Sequence, residues 1–166
     1  MMRDHLRRMA RYNRWANTRL YDACAALDEA TYRAEGRMFF GSIHGTLNHL
    51  LVGDRLWLAR ILGDPPLGLK LGDRPFSDLT LLRQARVEED RKMIDLTESY
   101  AEGDLDTDIS YRMVTRPEDV TTPLHLCWLH LFNHQAHHRG QVHDQLVRTS
   151  VAPPPLDLIF YLRENE

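Results

Sequence analysis

PLHLCWLHLFNHQAHHRGQVHDQLVRT, residues 123–149, reads as one long helix with a polar middle. Stepping about 100° per residue from Leu131 gathers Leu124, Cys127, Trp128, Val142 and Leu146 into one apolar stripe. His134 and His138 fall inside that stripe or at its edge. The helix therefore runs apolar for two turns, turns two histidines toward the core, and becomes apolar again. His130 and His137 lie on one flank, and His125 and His143 look toward solvent. Thr122 suits the N-cap and Pro123 the first helical position.

The rest of the chain supplies partners for this helix. Over residues 3–27, Leu6, Met9, Ala10, Asn13, Ala16, Asn17, Leu20, Cys24 and Leu27 recur at spacings of three and four, with Trp15 pointing away. Residues 28–41 read as a connection. Ser42 suits the cap of a second helix, 43–62, with Ile43, Leu47, Leu50, Leu51, Trp57, Leu58 and Ile61 as its stripe and Gly63 as its stop. GDPPLGLKLGDRPF, residues 63–76, is a loop. Ser77 or Asp78 opens a third helix, 78–102, with a mixed and more exposed face. DISYRMV and DVTT, joined by TRPED, predict a small β-hairpin. The tail VAPPPLDLIFYLRENE reads as an extended tether docking Leu156, Ile159, Phe160 and Leu162. The expectation is an all-α fold: a four-helix bundle with a long crossover between helices two and three and a small hairpin before helix four. It forms a single domain, residues 1–166.

With 21 basic and 24 acidic side chains the formal net charge is −3, which disfavours nucleic acid as a partner. No apolar run approaches the roughly 20 residues of a membrane span. The basic start, MMRDHLRRMARYNRW, lacks the apolar core of a secretory signal. A cytoplasmic location is the expectation. Cys24 and Cys127 are far apart, form no CxxC, and read as small core residues rather than a disulfide.

Nine histidines are the unusual number, six of them between positions 125 and 143. Two at i,i+4 have Cβ atoms about 5–6 Å apart, so both rings can reach one ion. HQAHH has the histidine spacing of HExxH, but Gln135 stands where a zincin protease needs its glutamate. The absence of ExxH argues against a di-iron carboxylate site, and the absence of CxxCH against haem attachment. A third ligand is needed, and the second helix offers His44 and His49. The wheel leans toward His44. Against that, Gly45 and Gly53 flank His49 at i−4 and i+4 and leave room for a close helix or an ion. Spacing alone leaves the choice open. Asn13 and Asn17 face inward and either line a pocket or tie helices together. Gly140 in mid-helix marks a close approach by the tail or another subunit. Zinc is the first choice for imidazole ligation, with nickel, iron and manganese as alternatives.

YNRWAN at 12–17, SIHGTLNHLLVGDRLWLARILG at 42–63, NHQAHHRGQVHDQL at 133–146 and the PPLDLIFYLRE tail together resemble the DinB/YfiT-like superfamily of metalloenzymes, unrelated to the like-named DNA polymerase. The likeness spans nearly the whole chain. It implies a four-helix bundle and a three-histidine divalent metal site, with His49, His134 and His138 as ligands. His137 and Gln141 would then stand behind the ligands, orienting one of them or a bound molecule. Asp54 would pair with a basic group or orient a histidine. The resemblance further implies a homodimer and thiol chemistry: transfer of a low-molecular-weight thiol to an electrophile in detoxification or stress response. Metal-assisted hydrolysis and a non-catalytic, stress-linked metal- or ligand-binding role are the alternatives.

Overall fold

A computed structural model of the chain describes residues 1–114, 116 and 118–165. It is mostly helical. In chain order its elements are α1 (Met2–Ala25), α2 (Glu29–Arg33), α3 (Ile43–Leu62), α4 (Leu79–Ser99), a 3-10 turn (Glu102–Asp106), β1 (Asp108–Arg112), β2 (Asp119–Pro123), α5 (Leu124–Leu146) and α6 (Leu158–Asn165). Of the TRPED segment predicted as the hairpin turn, Thr115 and Pro117 lie outside the described residues. The strands pair antiparallel from Asp108 opposite Pro123 to Arg112 opposite Asp119.

Local chemistry sets most of the boundaries. The Ser42 hydroxyl accepts the Gly45 N–H at 3.0 Å, and Asp78 accepts the Leu81 N–H at 3.0 Å. Gly63 ends α3 in the left-handed region, φ 72°, where a side chain would be strained. The start of α5 differs from the expected Thr122 cap. Pairing of β2 extends through Pro123, and the Leu124 N–H donates to the Thr107 carbonyl at 2.8 Å. The strand thus feeds straight into the helix. The five-residue α2, within the segment expected to be a plain connection, is capped by Asp28 through the Thr31 N–H at 2.8 Å. It is too short to show a period.

The four long helices close a ring of contacts: α1 packs on α4 and α5, and α3 packs on the same two. The interior is layered. At one end Leu20, Cys24, Leu47, Leu51, Leu82 and Leu146 form an apolar cluster. At the other, Leu6, Leu58, Met93, Leu124, Trp128 and Leu131 form a second. Between them every long helix contributes buried polar groups: Asn13 and Asn17, Asp54, Arg86 and Asp90, Gln135 and Arg139.

These polar groups bond in a closed circuit. Arg86 pairs with Asp54, and its Nη2 lies 3.1 Å from Asp90. Asp54 accepts from Gln135 Nε2, and Gln135 Oε1 accepts from Arg139 at 3.1 Å. Arg139 donates to Asn13 and to Asn17 at 3.2 Å. Both asparagines donate onward to Asp90, at 3.1 and 3.0 Å. Two carboxylates face two guanidiniums, so the layer is neutral overall, which is what makes its burial tolerable. α4, expected to be the more exposed helix, therefore keeps Arg86, Glu89 and Asp90 inside.

The tail differs from expectation too. It becomes helical at Leu158, and the 100° step places Leu158, Tyr161 and Leu162 against Tyr12 and Ala16. Ile159 and Phe160, expected to dock, are instead 48% and 37% exposed. Trp15 meets this helix, donating its indole N–H to Glu164 at 3.0 Å. Cys24 and Cys127 are both free and buried, and burial pushes the Cys24 thiol up to about 12.

Candidate metal centre

His49 on α3 faces His134 and His138, one turn apart on α5. One nitrogen from each ring lies within 4.8 Å of the other two. His49 Nε2 and His134 Nε2 are 3.1 Å apart, and the ring centroids lie 4.4–5.0 Å apart. His49 and His138 are buried, and His134 is partly buried.

Hydrogen bonds on the far side of two rings decide which nitrogen is free. His49 Nδ1 lies 2.9 Å from the Leu71 carbonyl. A carbonyl only accepts, so Nδ1 carries the proton and Nε2 presents its lone pair to the cluster. His138 Nδ1 donates likewise to Gln141 Oε1 at 2.9 Å. Such partners fix the tautomer and aim of a metal-binding histidine. The third ring, His134, has a buried Nδ1 with no partner.

Burial disfavours the charged form of all three rings. It lowers His49 to about 4 and His134 to about 3, the latter with help from the neighbouring histidines. His138 is lowered by the same cause. Three neutral imidazoles at neutral pH are the form a divalent cation requires. Two nitrogens on one tetrahedral zinc, at bonds of about 2.0–2.1 Å, stand about 3.3 Å apart. The 3.1 Å between His49 and His134 is close to that, and with His138 within 4.8 Å the three could hold a metal ion.

The surroundings hold this arrangement. Phe40 stacks on His49, with centroids 3.6 Å apart and planes 17° apart, and meets His138 edge-on at 5.6 Å. Gly53 is the room expected beside His49, and the His134 ring fills it: an added Cβ would lie 2.9 Å from Cε1. At Gly45 the space is taken by the Phe40 carbonyl instead.

The other histidines sort out clearly. His44, toward which the wheel leaned, is outside the cluster: its Nδ1 meets Tyr32 Oη at 3.0 Å. His130 is exposed at the rim, packed on Trp57 at 4.7 Å. His137 is exposed; its ring meets that of His138 edge-on, with centroids 4.8 Å apart, and its Nε2 lies 3.2 Å from Gln141 Nε2. His125 and His143, expected to face solvent, are half-buried and meet the Leu105 and Pro154 carbonyls at 3.0 and 3.1 Å. The 3-10 turn and the tail cover those faces. Asp54 bonds to Arg86 and Gln135 and to no histidine.

Sequence reading missed Phe40 and Leu71, which sit in loops with no period to follow. It also missed that Gln135 and Arg139 are buried. Their signal was present, since Leu131, Gln135, Arg139, Val142 and Leu146 continue one helical row.

A cavity of about 310 Å³ opens over His49 and His134, walled by Trp57, Leu71, Tyr111 and Val114 among others. No acidic side chain lines it among the described residues.

The family model described as DinB family matches residues 2–166. Protein DinB of Bacillus subtilis (strain 168) is 25% identical, with 97% of this chain and 95% of that protein covered. No helix among the described residues is long and apolar enough to cross a membrane. The match from residue 2 to the last residue, over a fold that gathers three histidines in one place, leads to one assignment: the chain belongs to the DinB family.

Proposed function

We propose that this protein is a divalent-metal-dependent transferase that joins a small thiol to an electrophile, built on a four-helix bundle as one domain. One observation carries the reading: two of three converging imidazoles are already oriented, through Leu71 and Gln141, to present Nε2 lone pairs to a common point. His49, His134 and His138 are the proposed ligands, with zinc the first choice for an all-imidazole set. When bound, such an ion supplies Lewis acidity that lets a thiol lose its proton near neutral pH. Gln141 holds His138 in place, and His137 in turn steadies Gln141. Phe40 stacks on His49 and covers that face of the ring. The apolar walls suit a thiol and a carbon electrophile. No carboxylate lines the cavity among the described residues, and His130 is an imidazole there that could act as a base toward thiol or water alike.

The test is a screen of small thiols against electrophiles, using protein whose metal content is known by mass spectrometry. The expected result is about one ion per chain, turnover that needs it, and loss of both in His134→Ala. Equal turnover after chelation would overturn the proposal, and no turnover on any pair would favour a non-catalytic binding role. A homodimer belongs to the same reading, and light scattering giving the monomer mass would refute it.

A further inference from the structure

Among the described residues Arg60 is a cation without a counter-ion. It lines the cavity over His49 and His134 and also an outer cavity of about 430 Å³ that shares Tyr111 and Val114 with the first. The guanidinium thus stands where the two cavities meet. Its carbon lies 4.5 Å from the Trp57 ring centroid and 4.7 Å from that of Tyr111. Elsewhere in the molecule Arg19, Arg55, Arg86 and Arg112 all have a carboxylate within 4 Å. Buried Arg139 has amide oxygens. Arg60 has neither carboxylate nor carbonyl partner among the described residues. Asp64 lines the outer cavity but forms no ion pair with it.

A guanidinium carries five N–H donors in one plane. Two adjoining rings, with centroids 5.3 Å apart, pack against it on one side by cation–π attraction, and among the described residues no oxygen accepts from its N–H groups. Half-burial weakens the compensation water can offer, and it lowers the arginine's affinity for its proton. A planar fork of free donors beside an apolar chamber matches an oxyanion attached to an apolar body.

We infer that Arg60 is the anion-binding residue of this site and that the substrate is an amphipathic acid, held by its carboxylate or an equivalent oxyanion at Arg60 while its apolar body occupies the cavity toward His49 and His134. The orientation toward the histidines rests on the proposed function. The anion site itself does not.

Calorimetric titration with a matched pair, 4-phenylbutyrate and 4-phenylbutanamide, tests this. Each is titrated into zinc-loaded protein and into protein treated with chelator. A charged hydrogen bond in a sheltered site should favour the acid by about tenfold or more. That preference should persist after chelation, since Arg60 and not the ion is its source. It should vanish in Arg60→Met and partly survive in Arg60→Lys, which also serves if the methionine variant folds poorly. Equal binding of acid and amide by the native protein would overturn the inference, as would failure of the acid to bind or a preference that survives in Arg60→Met. A preference lost with the metal would also overturn it. If the chain binds no zinc at all but Arg60 still selects the acid, the metal reading fails and the anion site stands.

Discussion

Gly53→Ala probes the metal site through a contact that leaves the ligand set intact. A Cβ at position 53 would stand 2.9 Å from His134 Cε1 and 3.5 Å from its Nδ1. Carbon atoms pack best at about 3.5–4.0 Å. The ring must therefore retreat by about 0.6 Å or more to reach that range. A metal–nitrogen bond tolerates only about ±0.2 Å. The imidazole is the end of a side chain and can swing aside, so the change should damage the site while sparing the fold. Alanine is favoured over glycine in mid-helix by roughly 1 kcal/mol, which offsets local crowding. Loss of aim at one ligand should weaken zinc binding by about 10–100-fold, as removal of a ligand's supporting partner does. Each tenfold loss removes about 1.4 kcal/mol of zinc-dependent stabilisation. Competition with a chromophoric chelator gives the affinity, and thermal melts with and without chelator give the stabilisation. The metal-free melts should coincide with wild type and the zinc-loaded melts should separate. Wild-type zinc affinity in Gly53→Ala would refute the reasoning. Gly45→Ala is the contrasting case. Its Cβ would fall 2.1 Å from the Phe40 backbone carbonyl, so it should lower stability with or without zinc.

Gln141→Leu removes the acceptor of His138 Nδ1 and should weaken zinc by about 10–100-fold with little loss of stability; an unchanged chelator competition would count against that role. His137→Ala should have a smaller effect on the same measurement, because it leaves the Gln141 acceptor of His138 Nδ1 in place and removes only an edge-on ring contact. Asp90→Ala strips Asn13 and Asn17 of a shared acceptor and Arg86 of an ion-pair partner and should cost about 3–5 kcal/mol in urea unfolding. A cost under about 1 kcal/mol would mean that the circuit is not stabilising as a unit.

Helix positions were legible because apolar periodicity is a local property. Ser42, Gly63 and Asp78 bound their helices through bonds made within a few residues, so the sequence alone places the first two and narrows the third to Ser77 or Asp78. The choice between His44 and His49 was not local. Both lie on a helix buried almost all round from Ile43 to Asp54, where no exposed face exists to give the wheel a reference. Only the facing helix decides, and it selects His49. The same limit hid the inward turn of Arg86 and Asp90. Charged residues on a periodic helix are normally its wet face, and here they meet polar groups from two other helices, α1 and α3.

That polar layer bears on the metal site as well as on stability. Gln135 and Arg139 directly follow His134 and His138 on α5, about 100° further round the helix. With the first pair bonded inward to Asp54, Asn13 and Asn17, the rotation of α5 is fixed, and the histidines turn toward α3. Buried polar groups that cost stability can act in this way as a register lock. The consequence is testable with Gln135→Leu, which fills the same space with an apolar side chain. It leaves Asp54 paired with Arg86, and Arg139 bonded to the asparagines. The loss in unfolding free energy should be about 1–3 kcal/mol, the cost of leaving part of a buried hydrogen-bonding set unmade. If the layer sets the rotation, zinc affinity should fall too, although Gln135 touches no proposed ligand. A stability loss with wild-type zinc affinity would show instead that apolar packing alone orients α5, and that the polar circuit and the histidine site are independent features of the same helix.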